Sequence, residues 1–147
     1  MLITAAHCTF NHSPKDFVVR VGAEKRRSRG VLMNVKRIVN YPKFHNGSVR
    51  YDIALLQLER DVVLEKDVIE IIEIAPKDYK LRAGSLTFAT GWGNVNKTFR
   101  ANQLQGVYLP VLSEKKCKAT DPSIKDDMFC AGNMTGGIGT CFGETNK

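Results

Sequence analysis

Short apolar runs, each bounded by turn residues, are the feature of this sequence that most limits its fold. Runs of this length with turns between them are typical of β-strands, whereas helices need longer stretches with a 3.6-residue period. We predict strands within residues 17–22, 31–40, 51–58, 85–90 and 103–112. Residues 113–119 differ, because Ser113 is an N-cap candidate and Glu114 and several lysines follow it in the order that suits a helix dipole. The sequence therefore predicts an all-β fold with one short helix.

Basic residues are concentrated in one segment of the chain. The net charge is +7 over 147 residues, and the densest basic cluster lies in the predicted turn between the first two strands: Lys25, Arg26, Arg27 and Arg29. We interpret this cluster either as a solvated loop or as a contact surface for a polyanion. No nucleic-acid recognition motif is present, and no apolar run approaches the roughly 18 residues of a membrane span. We therefore expect neither nucleic acid nor membrane as a partner.

Cysteines and glycosylation acceptors indicate the compartment. The four cysteines have neither CxxC nor zinc-type spacing, so disulfides are favoured, and we expect no metal site and no cofactor; they are Cys8, Cys117, Cys130 and Cys141. Four Asn-x-Ser/Thr acceptors lie in polar, turn-like segments, at Asn11, Asn46, Asn96 and Asn133. Both features favour a secreted protein. The chain starts without the basic and apolar segments of a signal peptide, so we expect that signal to precede Met1.

A histidine and an aspartate stand at the ends of two apolar runs. His7 follows the short run that begins the chain, and Asp52 directly precedes the apolar residues 53–58. This position predicts a buried aspartate at the mouth of a buried strand, and a buried carboxylate needs a partner. A carboxylate that accepts a proton from an imidazole nitrogen fixes the tautomer of that histidine, as the acid of a Ser-His-Asp triad does. Acids before strands are also common as caps and turn residues, so this pattern alone leaves both roles open for Asp52.

Four motifs in a fixed order resemble the chymotrypsin family of serine proteases. They are Thr-Ala-Ala-His-Cys at 4–8, Asp-Ile-Ala-Leu-Leu at 52–56, Gly-Trp-Gly at 91–93 and Met-Phe-Cys-Ala-Gly at 128–132. The 45 residues between His7 and Asp52 also fit the family. The resemblance implies two antiparallel Greek-key β-barrels of the trypsin-like type, both incomplete here. It places part of the first barrel at 1–60, the connection at 61–80 and part of the second barrel at 81–147.

The resemblance also assigns roles to individual residues. It makes His7 the general base, Asp52 its orienting acid and Gly143 an oxyanion-hole glycine, and it implies a disulfide between Cys117 and Cys130. The usual partners of Cys8 and Cys141 are absent from this sequence, so both are left unpaired with respect to the family pattern, and a bond between the two depends on a geometry that sequence does not supply. Thr145 stands where the family has its nucleophilic serine, which puts cleavage by this chain in doubt.

The residues at the positions for substrate specificity, zymogen activation and calcium binding also depart from the family pattern. Gly139 occupies the position that resembles the base of the primary specificity pocket, so no acid is present there to select lysine or arginine. Glu144 stands at the position of the aspartate that pairs with the new amino terminus after zymogen cleavage. The loop that holds calcium in the family corresponds to residues 22–31, which are basic here, so we expect no calcium binding.

Three functions fit these observations. The first is a serine-type endopeptidase, present here as a fragment that does not itself cleave. The second is a catalytically inactive protease homologue that acts as a secreted binding protein. The third is a basic binding module that acts through residues 25–29. The first two have polypeptide substrates or protease-binding proteins as partners.

Overall fold

The computed structural model describes residues 1–94 and 99–133. These residues form six β-strands and one α-helix, which confirms the predicted all-β class with a single short helix. The chain divides into two compact units, one from Met1 to Ile72 and one that begins at Glu73. In the described part of the chain, no helix is long and apolar enough to cross a bilayer.

The first unit is a four-stranded antiparallel sheet. Its strands are β1 (Leu2–Thr4), β2 (Val18–Val21), β3 (Val31–Asn40) and β4 (Ala54–Leu58), and two 3-10 turns lie at Ala6–Cys8 and Pro14–Asp16. The spatial order is β1-β4-β3-β2. Three consecutive strands are therefore neighbours and the first strand lies beside the last, which is a Greek-key arrangement. A register shift between Val35 and Arg37 marks a bulge in β3.

Alternating side chains build the core of this sheet. Ala54, Leu56 and Leu58 of β4 are buried, and the residues between them are half-buried. Met33 and Val35 of β3 pack with Leu56 and Leu58 in one cluster. Period-two burial of this kind is expected where one face of a sheet covers a core. The near-continuous apolar sequence of β4 agrees with this pattern, because the residues between the buried ones are also partly covered.

The second unit is built on a two-stranded hairpin and a helix. Strand β5 (Leu86–Gly91) pairs with β6 (Gln105–Pro110) in an antiparallel register that runs from Leu86 opposite Pro110 to Gly91 opposite Gln105. The segment after the helix returns to this hairpin, because the backbone N–H of Leu112 donates to the carbonyl of Cys130 over 2.8 Å. Helix α1 (Glu114–Thr120) follows β6 directly.

Helix α1 begins as its sequence predicts. The Ser113 side chain accepts a hydrogen bond from the backbone N–H of Lys116 and so satisfies one of the free donors of the first turn. Lys118, one turn later, donates to Glu114 over 2.7 Å, and pairs of this i, i+4 kind support a helix. Cys117 is the buried residue of the helix, and it anchors the helix through a disulfide to Cys130.

Strand β1 was not predicted as a strand. It has only three residues, and its ladder is made with β4, which is about fifty residues away in sequence. The other predicted strands are present with small differences at their ends: β3 has the predicted bounds, and the others are shorter than predicted or displaced by a residue. Pairing with a distant strand leaves no local signal in a three-residue segment.

Candidate active site

The register between β1 and β4 brings two distant loops together. Thr4, the last residue of β1, lies opposite Ala54, the first residue of β4. Because the strands are antiparallel, the loop that leaves β1 and the loop that enters β4 meet at one end of the sheet. His7 lies three residues after Thr4, and Asp52 lies two residues before Ala54. The sheet therefore sets these side chains side by side although 45 residues separate them.

The turn that carries His7 is anchored in a small cluster of buried residues. Ala6 and Ala54 have almost no exposed surface, and Phe44 packs against both of them. The 3-10 turn at Ala6–Cys8 is closed by the backbone N–H groups of Thr9 and Phe10, which both donate to the carbonyl of Ala6. Because both alanines are buried, a larger side chain at either position would have to displace its neighbours.

The turn that presents Asp52 has an unusual conformation. Tyr51 has a φ of +60°, which is uncommon for a residue with a side chain. Its ring stacks on Tyr41, with 5.3 Å between the centroids, and the Arg50 guanidinium lies 5.0 Å from the ring centre. Its carbonyl accepts from the backbone N–H of Ile53 over 2.8 Å. These contacts hold Tyr51 in its left-handed conformation and so fix the direction of Asp52.

The carboxylate of Asp52 holds His7 by two hydrogen bonds. The backbone N–H of His7 donates to Oδ1 over 2.7 Å, and the ring Nδ1 lies 2.6 Å from Oδ2. An ionised carboxylate only accepts, so the proton between Nδ1 and Oδ2 sits on the ring nitrogen. In the neutral imidazole this assigns the lone pair to Nε2, which is the nitrogen able to take a proton from another group.

Both side chains keep access to solvent. The His7 side chain is 44% exposed and the Asp52 side chain is 29% exposed, whereas the sequence had suggested a buried aspartate at the mouth of β4. Because both side chains are partly exposed, water screens the electrostatic interaction between them. The pair is therefore characterised by its hydrogen-bond geometry and not by deep burial. The arrangement can orient an imidazole for general base catalysis, which requires a fixed tautomer and an open Nε2.

A family model agrees with this arrangement. The model described as "Trypsin" matches residues 1–145 of this chain. The chain belongs to the trypsin family. Membership confirms the resemblance drawn from the four sequence motifs.

Curated relatives within the trypsin family match nearly the whole chain. A vitellin-degrading protease of Bombyx mori is 33% identical over 99% of this chain and 56% of its own length, and Trypsin 5G1 of Aedes aegypti is 31% identical over 98% and 55%. The chain thus spans about half the length of the curated relatives it matches. The solved structure of the scabies mite inactivated protease paralogue S-D1 superposes with a TM-score of 0.83 at 24% identity, over 90% of this chain and 60% of that one. That superposition supports the fold.

Cys8 lies next to the pair but differs from it in chemistry. It is half-buried and makes no disulfide with any described residue. Burial raises the pKa of its thiol, and the negative charge of Asp52 raises it further. The thiolate is the reactive form of cysteine, so a raised pKa makes Cys8 a poor nucleophile near neutral pH.

The remaining predicted residues fall into three groups. Cys117 and Cys130 form a disulfide with 5.6 Å between their Cα atoms. Three of the predicted glycosylation sites are exposed, and these are Asn11, Asn46 and Asn133. The rest lie outside the described residues: Asn96, Gly139, Cys141, Gly143, Glu144 and Thr145. Over 1–94 and 99–133, no three His, Cys, Asp or Glu side chains are grouped so that they could hold a metal ion.

Sequence reasoning missed the residues that support the pair. Tyr41 and Tyr51 belong to none of the four motifs, and Ala6 and Ala54 lie within the first two motifs but were given no supporting role. The backbone N–H of His7, which makes one of the two hydrogen bonds to Asp52, has no side-chain signature at all. A buried alanine on each side of a tight junction is visible only once the register of β1 and β4 is known.

Proposed function

We propose that this protein belongs to the polypeptide-cleaving serine endopeptidases in function, with His7 as general base and Asp52 as its orienting acid. The proposal rests on the two hydrogen bonds by which Asp52 holds His7, one of 2.7 Å from the backbone N–H and one of 2.6 Å from the ring Nδ1. In such a reaction the imidazole takes the proton of an attacking hydroxyl and later gives it to the leaving amine. The nearby carboxylate stabilises the imidazolium formed between these steps.

The position of the nucleophile sets this chain apart. Thr145 stands where the family has serine, and Asn146 replaces a glycine of the nucleophile motif. A threonine hydroxyl carries an extra methyl group on a stiff, branched carbon, which restricts its approach to a carbonyl at a tight turn. A hydroxyl that does not reach the carbonyl has no use for a general base. We therefore expect that these 147 residues alone do not cleave polypeptides.

Two further residues near Thr145 enter the proposal. The backbone N–H of Gly143 would donate to the negative oxygen of an acyl-transfer intermediate. Gly139, at the place of the specificity-pocket base, offers no carboxylate, so we expect no preference for lysine or arginine at the bound position. Both assignments follow from the alignment of residues 139–145 with the family motif.

An inactive homologue that works by binding is the second candidate. The identity of Thr145 favours it, and the solved neighbour from the scabies mite is itself named an inactivated protease paralogue. In this case the His7–Asp52 pair is retained as a structural link between the β1 and β4 loops. Sequencing the full transcript separates the candidates: an Asp-Ser-Gly-Gly segment after the present motif supports the endopeptidase, and a stop codon directly after Lys147 supports the inactive homologue.

Active-site labelling tests the cleavage proposal directly. The purified chain is treated with a fluorophosphonate probe and assayed on a mixture of fluorogenic peptides, with His7→Ala and Thr145→Ala as controls. We expect no labelling at residue 145 and no hydrolysis above that of either variant. Labelling of Thr145 that disappears in His7→Ala would overturn the expectation and would show an active threonine nucleophile.

Secretion and N-glycosylation are also proposed. A disulfide is typical of proteins from oxidising compartments, and Asn11, Asn46 and Asn133 are exposed within their acceptor sequences. Expression through a eukaryotic secretory pathway, followed by peptide N-glycosidase treatment, checks this. We expect a decrease in apparent mass that shrinks when these asparagines are changed to glutamine.

A further inference from the structure

We propose that the turn joining β2 to β3 binds sulfated polysaccharide chains. The basic turn consists of Lys25, Arg26, Arg27 and Arg29, and it connects the last paired residues of the hairpin, Val21 and Val31. This surface plays no part in the His7–Asp52 pair. The inference goes beyond the protease assignment and does not depend on it.

The backbone of the basic turn is well defined. Lys25 and Ser28 form an isolated bridge, with the N–H of Ser28 donating to the carbonyl of Lys25 over 3.2 Å. Arg26 and Arg27 therefore occupy the two central positions of a tight turn. Arg29 and Gly30 follow with φ values of +60° and +71°. A turn of fixed shape presents its side chains with less ordering cost on binding than a flexible loop does.

A basic residue of the strand supports this shape. Arg20 of β2 donates from Nη1 to the carbonyl of Arg29 over 2.6 Å. A carbonyl acceptor is neutral, so this bond holds the loop without cancelling the charge of the guanidinium. Arg20 therefore adds its positive charge to the same end of the hairpin.

The local charge is high and accessible. Residues 20–30 contain five basic side chains and one acid, Glu24. Lys25, Arg27 and Arg29 are exposed, while Arg26 is half-buried. Clustered cations of this kind attract polyanions and bind them with a strong dependence on salt. Arginine in particular pairs with tetrahedral oxyanions through two parallel N–H donors.

The chemistry of the turn favours a polysaccharide over other polyanions. Between Gly22 and Gly30 there is no large apolar side chain, whereas the centre of a protein interface is usually apolar or aromatic. No base-reading element accompanies the turn, as a nucleic-acid site would require. Repeated sulfate groups on a flexible polymer need only accessible, closely spaced cations, and the basic turn supplies these.

Heparin affinity measured across a salt series tests the proposal on the full chain. The test variant changes Lys25, Arg27 and Arg29 to glutamine. The control variant changes three exposed residues of the same unit to glutamine and so loses the same charge; they are Lys15, Arg60 and Lys66. We expect the test variant to bind a heparin oligosaccharide roughly tenfold or more weakly at physiological salt, with a salt-dependence slope lower by about two to three. The control variant should lose about twofold or less, through net charge alone.

Two further measurements keep the result interpretable. A variant with Arg27 and Arg29 changed to lysine retains the charges but lacks the paired donors of arginine, so its affinity should lie between those of the wild type and the test variant. This variant separates lost charge from a damaged hairpin. Polyglutamate and duplex DNA of matched charge serve as competing ligands, and we expect heparin to bind more tightly than either. Equal losses in the test and control variants would overturn the proposal, and so would tighter binding of polyglutamate or DNA.

Discussion

The hydrogen bonds between Asp52 and His7 allow a quantitative prediction for the substitution Asp52→Asn. The asparagine Oδ1 can still accept from the His7 backbone N–H, but its amide group places donor hydrogens opposite Nδ1. The ring must then turn or adopt the other tautomer, in which Nδ1 accepts and Nε2 carries the proton. We expect the variant to lose one of the two hydrogen bonds and the general-base capacity of Nε2 together.

The size of the stability loss follows from the exposure of the pair. A hydrogen bond to a charged group contributes about 1.5–3 kcal/mol when water is excluded. The side chains of His7 and Asp52 are 44% and 29% exposed, so water replaces part of the lost interaction, and we expect Asp52→Asn to cost about 1 kcal/mol. Asp52→Ala removes both acceptors and should cost about twice as much. For a chain of this length, 1 kcal/mol corresponds to a decrease in Tm of about 3 °C.

Chemical denaturation measures this loss. Urea unfolding curves of the wild type, Asp52→Asn and Asp52→Ala are compared with Asp61→Asn, which changes an exposed acid of the same unit. The expected order of destabilisation is Asp52→Ala, then Asp52→Asn, then Asp61→Asn, with little loss in the last. If Asp52→Asn and Asp61→Asn unfold at the same urea concentration, the two hydrogen bonds do not stabilise the junction and the reasoning fails.

Three other perturbations test separate parts of the structure. Replacing Cys117 and Cys130 by serine opens a loop whose ends are 13 residues apart, and we expect the free energy of unfolding to fall by about 3 kcal/mol. Denaturation with and without reductant measures this loss, and an unchanged midpoint would contradict it. Gly30 has a φ of +71°, and a Cβ at this position would lie against the carbonyl oxygen of Val21. We therefore expect Gly30→Ala to cost at least about 1 kcal/mol, measured by thermal melting. A Tm equal to that of the wild type would exclude the left-handed turn. Burial and a nearby carboxylate raise the pKa of Cys8. Iodoacetamide should therefore alkylate Cys8 more slowly than glutathione at pH 8, and the rate should increase only at higher pH. A rate equal to that of glutathione would show an ordinary thiol.

Local pattern was enough to predict most of the fold. Strands β3 and β4 follow from alternating or continuous apolar runs with turn residues at their ends, and helix α1 follows from its N-cap and the order of its charges. These signals lie within a few residues of each other, which is the range over which sequence patterns act. The bulge near Arg37 and the ladder between β1 and β4 depend on the partner strand, and no local pattern encodes them.

The site was predictable in its chemistry but not in its supports. Motif order identified His7 and Asp52, because the family resemblance connects residues that are far apart in sequence. The left-handed conformation of Tyr51 could not be predicted, since positive φ is normally signalled by glycine or asparagine. The degree of exposure was also missed: Asp52 retains access to solvent because it lies in the loop before β4 rather than within the buried strand.

Nitrogen NMR of the His7 ring tests the central claim most directly. In a long-range ¹⁵N–¹H correlation spectrum of the uniformly labelled chain, the two ring nitrogens of a neutral histidine give distinct shifts that identify the protonated one. The hydrogen bond to Asp52 predicts a proton on Nδ1 and an unprotonated Nε2, with this pattern lost or reversed in Asp52→Asn. A neutral His7 in the wild type with its proton on Nε2 would contradict the proposed pairing and remove the basis for a general base at this position.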